Sequence, residues 1–269
     1  MIEHNKILAK ITVPRRYIKF LDTEITFGKV LKLRLHDFQR EILETKKILN
    51  FIHVPVGAGK TFIFSFLPLA TSPSVENSEG RAVFILPTNA LIEDVRHQII
   101  ELRLYNPNSI KTLTATTLNR VQKEEKMSRF KAIERILEES DIVLTNPDII
   151  SYLIHGSYYE TLKTMRDWIY LFVANNFRFF IIDEYHLMDE EESAIVNSFI
   201  YITYQLSRES PEKPKFFLLS GTPNREIISV FRKSIGHKNL RIIEIYLTRI
   251  KNKRKYSPLI TLHGEGGGN

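Results

Sequence analysis

The chain has 269 residues, 43% hydrophobic and 26% charged, a globular composition with room for a full core. It has no cysteine, which excludes disulfides, thiolate metal sites and cysteine nucleophiles. A net charge of +7 favours a polyanionic partner, nucleic acid above all. The opening M-I-E-H-N-K-I-L-A-K carries charges inside any would-be apolar stretch and lacks a small-residue cleavage site. The apolar run Phe62 to Ala70 is too short to span a bilayer, so the expectation is a cytoplasmic protein with no membrane contact.

In chain order, two β-like runs come first, Ile7 to Val13 and Glu24 to Val30, separated by Pro14-Arg15-Arg16. They predict a hairpin or edge strands ahead of the main sheet. Arg34 to Leu43 spaces Leu35, Phe38 and Ile42 as a helix does. The stretch F-I-H-V-P-V-G-A-G-K-T-F, Phe51 to Phe62, predicts a buried strand and a glycine turn, followed by an apolar helix to Leu69. After a polar loop over 71–80, Arg81 to Leu86 predicts a second buried strand. Ala90 to Leu102 predicts an amphipathic helix with Leu91, Val95, Ile99 and Leu102 on one stripe.

Ile110 to Ala115 predicts a strand, and Leu118 to Glu139 one long charged helix whose run Lys123-Glu124-Glu125-Lys126 is a solvated face. Asp141 to Leu144 predicts a short strand ending in Thr145-Asn146-Pro147-Asp148. Helical sequence follows from Ile149 to Asn175, broken near His155-Gly156-Ser157, with Trp168 as core packing. Phe177 to His186, F-R-F-F-I-I-D-E-Y-H, predicts a buried strand ending in two acids. Then come a helix from Met188 to Leu206, a strand from Lys215 to Leu219 running into Ser220-Gly221-Thr222-Pro223, a helix from Arg225 to Ile235 and a strand from Leu240 to Leu247. A basic run, Arg249 to Lys255, and a glycine-rich end predict a linker.

The turn at 55–61 carries chemistry. Glycines let backbone N–H groups form a concave anion site, and a helix N-terminus adds donors and partial positive charge. Val56, Gly57, Ala58, Gly59, Lys60 and Thr61 are therefore candidate nucleotide-binding residues, Lys60 reaching the β- and γ-phosphates and Thr61 ligating Mg²⁺. The general phosphate-loop pattern wants glycine where this chain has Val54; the form here is P-x-G-x-G-K-T. Asp183 is placed to hold Mg²⁺ and Glu184 to deprotonate the attacking water. A plain helix start with two acids is the other reading, and His186 alone is an ordinary polar residue. Gln39 has the amide to pair with the N6 and N7 edge of adenine. Thr88 and Asn89 lie after a strand, where open α/β sheets place ligands, although a turn with a helix cap explains them equally well.

Together these residues resemble the first, N-terminal RecA-like domain of superfamily 2 helicases, over about residues 33–248. Gln39 is similar to the adenine-reading glutamine motif, Pro55 to Thr61 to motif I and Pro87-Thr88 to motif Ia. Thr145 to Asp148 resembles a later DNA-contacting motif, Asp183-Glu184-Tyr185-His186 motif II of the DExH type and Ser220-Gly221-Thr222 motif III. The loop form and the DEYH box look most like the helicase of type I CRISPR systems, of the kind encoded apart from its HD nuclease. His36-Asp37 lacks the further metal-binding residues of such a nuclease.

The resemblance implies an α/β fold of the RecA-like P-loop NTPase type, a mostly parallel sheet flanked by helices. It divides the chain into an N-terminal β-like extension (1–32), the ATP-binding helicase domain (33–248) and a basic, glycine-rich linker or tail (249–269). It implies ATP and Mg as cofactors and Lys60, Asp183, Glu184 and His186 as catalytic residues. Thr88, Asn89, Thr145, Ser220 and Thr222 become residues of nucleic-acid contact and coupling. The implied partners are single-stranded DNA or RNA, with DNA favoured, a second RecA-like domain in cis or in trans, and a CRISPR effector complex with a separate nuclease. No second such domain and no arginine-bearing motif VI is recognisable, so weak ATP hydrolysis by this half alone is expected. A regulatory ATP-binding module without turnover, and a motor subunit of a restriction-type or viral enzyme, remain as alternatives.

Overall fold

The computed structural model describes residues 20–26, 30–53, 59–69, 80–155, 160–210, 213–221, 225–244 and 261–262. Among these, strands and helices alternate: β3 (Leu49–His53), α2 (Lys60–Phe66), β4 (Arg81–Ile85), α3 (Asn89–Glu101), β5 (Ile110–Leu113), α4 (Ala115–Glu125), α5 (Arg129–Glu138), β6 (Ile142–Thr145), α6 (Pro147–His155), α7 (Glu160–Asn176), β7 (Phe177–Ile182), α8 (Glu190–Leu206), β8 (Lys215–Ser220), α9 (Arg225–Ile235) and β9 (Leu240–Glu244). Ahead of them stand β1 (Phe20–Thr26), β2 (Val30–His36) and α1 (Asp37–Glu44), and β10 (Thr261–Leu262) closes the series.

The main sheet has the order β5-β6-β4-β7-β8-β3-β9, every neighbouring pair parallel. Helical crossovers cover both faces of such a sheet, which is why its strands are near-continuous apolar runs. Alternate side chains serve the two faces. Phe216 and Leu218 of β8 join one core cluster, with Phe180, Ile182, Val196 and Phe199. Phe217 and Leu219 join the other, with Phe64, Phe84, Phe179 and Ile181. One irregularity breaks the period of two: Arg81 pairs with Phe177 but Ala82 with Phe179, so Arg178 is an extra residue in β7. That bulge puts Phe177 and Phe180 on the same face. The expected α/β architecture, a parallel sheet flanked by helices, is the observed one.

Several local expectations change. Arg34 to His36, read as helix, belong to β2, because β1 pairs antiparallel along its whole length, from Thr26↔Val30 to Phe20↔His36. Helix α1 begins only at Asp37. The long charged helix over 118–139 is two helices. Lys126 closes α4 in the left-handed conformation (φ 51°), and the Ser128 hydroxyl accepts from the Lys131 N–H to cap α5. The charge run at 123–126 is exposed, as expected. Trp168 is partly buried against the core, stacked on Phe172 at 4.9 Å and edge-on to Phe130 at 6.0 Å. The run Ile7 to Val13 lies outside the described residues, as does most of 249–269; within the latter, Thr261 and Leu262 pair with Lys32 and Leu31. Among the described residues no helix is long and apolar enough to cross a membrane.

Candidate functional site

Strand order decides which residues can meet. β8 lies between β7 and β3, so the residues that follow β3 and β7 converge over the C-terminal end of β8. The registers Ile182↔Leu218 and His53↔Ser220 bring the three strand ends within two residues of one another. At the end of β3, Gly59 adopts φ 82° and ψ 32°, a left-handed conformation that disfavours any side chain, and its carbonyl accepts the first bond of α2 from the Ile63 N–H at 3.3 Å. Gln39 is 1% exposed, and its Nε2 donates to the Gly59 carbonyl at 3.5 Å. Val56, Gly57 and Ala58 lie outside the described residues, as does Thr222.

Lys60 opens α2 and is 7% exposed. Its Nζ donates to Glu184 Oε1 at 3.3 Å and lies 3.9 Å from Asp183 Oδ1. The sheet thus brings together a cation and two carboxylates that are 123 and 124 positions away in sequence (183 − 60 and 184 − 60). Burial pushes the Asp183 carboxyl above the ordinary carboxylate range, against the opposing pull of the Lys60 ammonium. The Asp183 N–H is tied to the Ile85 carbonyl of β4 at 3.0 Å, and Asp183 Oδ1 accepts from the Glu184 N–H at 2.9 Å.

His186 joins this cluster to β8. Its Nδ1 accepts from the Gly221 N–H at 3.2 Å and lies 3.4 Å from Glu184 Oε2. With Nδ1 accepting, the neutral ring carries its proton on Nε2; a protonated ring would instead direct Nδ1–H toward Glu184. A Cβ on Gly221 would come within 3.2 Å of this imidazole and push it aside by a few tenths of an ångström. His53 Nδ1 sits 2.9 Å from the Ser220 carbonyl and ties the end of β3 to β8. Sequence reasoning passed over His53; its place four residues ahead of Gly57 was the available signal.

The other expected contact residues lie apart, at the ends of β4 and β6. Thr88 is exposed, and its hydroxyl accepts from the Leu91 N–H at 3.3 Å as the cap of α3. Exposed Asn89 accepts from Asn146 Nδ2 at 3.1 Å, and Asn146 Oδ1 in turn accepts from the Ile149 N–H. Asn146 was not foreseen as a bridge between these strand ends. Thr145 departs from the expectation of a phosphate contact: it is 4% exposed, and its hydroxyl donates to the Leu113 carbonyl at 2.8 Å.

The oxygens of Thr61 and Asp183 are of the kind a hard divalent cation takes. Among the described residues no group of three His, Asp or Glu could hold a metal alone. A cation here would share its shell with phosphate oxygens and water, which suits Mg²⁺.

Comparison with known proteins places this arrangement. The DEAD/DEAH box helicase family model matches residues 37–230. The ATP-dependent helicase hrq1 of Schizosaccharomyces pombe is 28% identical over 142 residues, 51% of this chain and 12% of that protein. Among solved structures, the DUF1998 helicase MrfA bound to DNA and AMPPNP aligns with a TM-score of 0.57 and 19% identity, over 90% of this chain and 32% of that one. Mss116p bound to ssRNA and AMP-PNP aligns with a TM-score of 0.53 and 16% identity, over 76% of this chain and 37% of that one. The chain therefore spans about an eighth of the curated relative and about a third of these structures. With the family match running from α1 into α9, and with the fold of these helicases' RecA-like domains, the chain belongs to the DEAD/DEAH box helicases.

Proposed function

We propose that this chain is the first half of an ATP-dependent nucleic-acid motor, with residues 33–248 as the motor core. The observation that carries the reading is the buried contact of Lys60 with Glu184 and Asp183 over the end of β8. Each group has a task in phosphoryl transfer. Lys60, released from the carboxylates, neutralises the β- and γ-phosphates. Glu184 then accepts the proton of the attacking water. Thr61 and Asp183 would hold Mg²⁺ together with the nucleotide, and the ion would neutralise charge developing on the phosphates. Gln39, beside Gly59, belongs to the adenine end of the site. His186, between Glu184 and Gly221, and Ser220 beside it link the hydrolytic end to the next strand end.

A second RecA-like domain, in cis or in trans, completes the site in this reading, and residues 33–248 alone turn ATP over slowly. Exposed Thr88 and Asn89 are the grip on the nucleic-acid backbone, sequence-independent and salt-sensitive. DNA is the favoured track, supported by the resemblance of the P-x-G-x-G-K-T and DEYH forms, while the +7 charge supports a polyanionic partner of either kind. Service beside a CRISPR effector complex with a separate nuclease, in the cytoplasm, is the narrower proposal and rests on the P-x-G-x-G-K-T and DEYH forms alone. Supplying the second half in trans tests the motor. ATP hydrolysis that rises on mixing and is abolished by Lys60→Ala supports it, whereas nucleotide binding with no turnover in the mixture supports a regulatory module.

A further inference from the structure

Glu184 has an unusual backbone. Its φ of 49° and ψ of 38° lie in the left-handed region, which non-glycine residues avoid. Two other non-glycine residues share a positive φ among those described, and both close helices: Lys126 follows α4, and Arg103 follows α3. Glu184 closes no helix. It stands between the end of β7 and a short 3₁₀ turn, Tyr185–Leu187. Something must hold it there, since such a conformation persists only where the surroundings over-determine it.

One flank is held by Asp183, whose N–H is tied to β4 and whose carboxylate takes the Glu184 N–H. The other flank is Tyr185, at a position of the DEYH box to which the catalytic reading gave no task. Its ring is 4% exposed and packs in the same core cluster as Ile195, Val196 and Phe199 of α8. Its hydroxyl donates to Asn197 Oδ1 at 3.1 Å, and Ser193 is in hydrogen-bonding reach of the Tyr185 hydroxyl. Ser193 and Asn197 stand one turn apart on α8, on one face. That helix is itself fixed at its start, where Asp189 and Glu192 exchange side-chain and backbone bonds.

We propose that Tyr185 is a positioning residue for Glu184, its buried ring and its bond to Asn197 holding the left-handed turn that aims the carboxylate into the nucleotide site. This rests on the assignment of Glu184 as proton acceptor. The turn ties the base to α8, so the hydrolytic step depends on a contact that no nucleotide touches.

The test is single-turnover ATP hydrolysis by the full chain with Mg²⁺ and nucleic acid present, for Tyr185→Phe, Asn197→Ala, their double variant and Asn197→Asp. Tyr185→Phe keeps the ring and removes only the hydroxyl. Its rate constant falls about tenfold at unchanged amplitude and ATP affinity, because a small misplacement of a catalytic group is costly. Asn197→Ala does the same, and the double variant is no worse than either. Asn197→Asp retains an acceptor and loses no more than about threefold. A merely structural role would lower the amplitude, which counts folded molecules, and leave the rate constant alone. The proposal is overturned by a Tyr185→Phe rate constant within about twofold of the parent, or by additive losses in the double variant. A Glu184→Gln control that hydrolyses at the parent rate overturns the underlying reading, and the proposal with it.

Discussion

Two stretches of the same sheet edge differ in what they do with polarity. Over β8, three ionisable groups are drawn out of water and set against one another: Lys60 at 7% exposure, Asp183 at 9% and Glu184 beside them. At the ends of β4 and β6, the polar side chains are neutral and engaged mainly in finishing the backbone. Thr88 caps α3, Asn146 caps α6 and Thr145 bonds the neighbouring strand. The first arrangement strains the fold for the sake of charge, and burial of an ionised carboxylate is tolerated only because a cation faces it. The second stabilises the fold, and Thr88 and Asn89 are exposed there. Perturbed charge thus separates the part of the edge proposed for hydrolysis from the part proposed to grip the strand.

The largest expected effect is at the buried cation. Lys60→Ala removes the partner of two carboxylates and the proposed ligand of the phosphates, and ATP-Mg affinity falls by roughly a hundredfold, the scale of losing a hydrogen bond between charged groups. Equilibrium binding of a fluorescent ATP analogue checks this, and unchanged affinity would place the nucleotide elsewhere. Next comes the β6 edge. Thr145→Val keeps the shape but deprives the Leu113 carbonyl of its donor, costing about 1–2 kcal/mol of stability. It leaves single-strand affinity intact, while Thr88→Ala with Asn89→Ala weakens that affinity and its salt dependence. If Thr145→Val instead weakens binding at unchanged stability, the division of the edge drawn above is wrong.

Gly221→Ala has a smaller effect. The added methyl presses on the His186 ring, so turnover drops severalfold while melting temperature moves little. The smallest effect concerns pH. Burial raises the folded pKa of Asp183 above its unfolded value, so the stability it lends is complete below the unfolded pKa and is lost as pH rises through the folded one. Asp183→Asn removes that loss: the variant melts a few degrees above the parent at neutral to alkaline pH, and the gap closes in acid. A gap that widens in acid would show that the Lys60 ammonium dominates over burial.

Much of this was legible in the sequence because a parallel sheet announces itself. Runs such as F-R-F-F-I-I and K-F-F-L-L are buried on both faces, and their ends mark where ligands gather. Lys60, Asp183 and Glu184 could be named from motifs, but their meeting required β8 to lie between β7 and β3, which no local pattern states. The split at Lys126 and Met127 was hidden because charged residues suit a helix surface and a left-handed lysine leaves no glycine signature. Thr145 misled for a related reason: a strand-end threonine has the same letters whether its hydroxyl faces a phosphate or a neighbouring carbonyl. Tyr185 was named only as a letter of the DEYH box, and its bond to Asn197, twelve residues on, has no signature in the sequence.

The most direct measurement of the central claim is ATP hydrolysis by the chain with and without single-stranded DNA and RNA, beside Glu184→Gln. The account predicts slow hydrolysis, stimulated by one of the two strands and lowered by roughly 10²–10⁴-fold in Glu184→Gln, the usual range for a lost general base. Hydrolysis that Glu184→Gln leaves unchanged would contradict it, since the cluster over β8 would then not be where the water is activated.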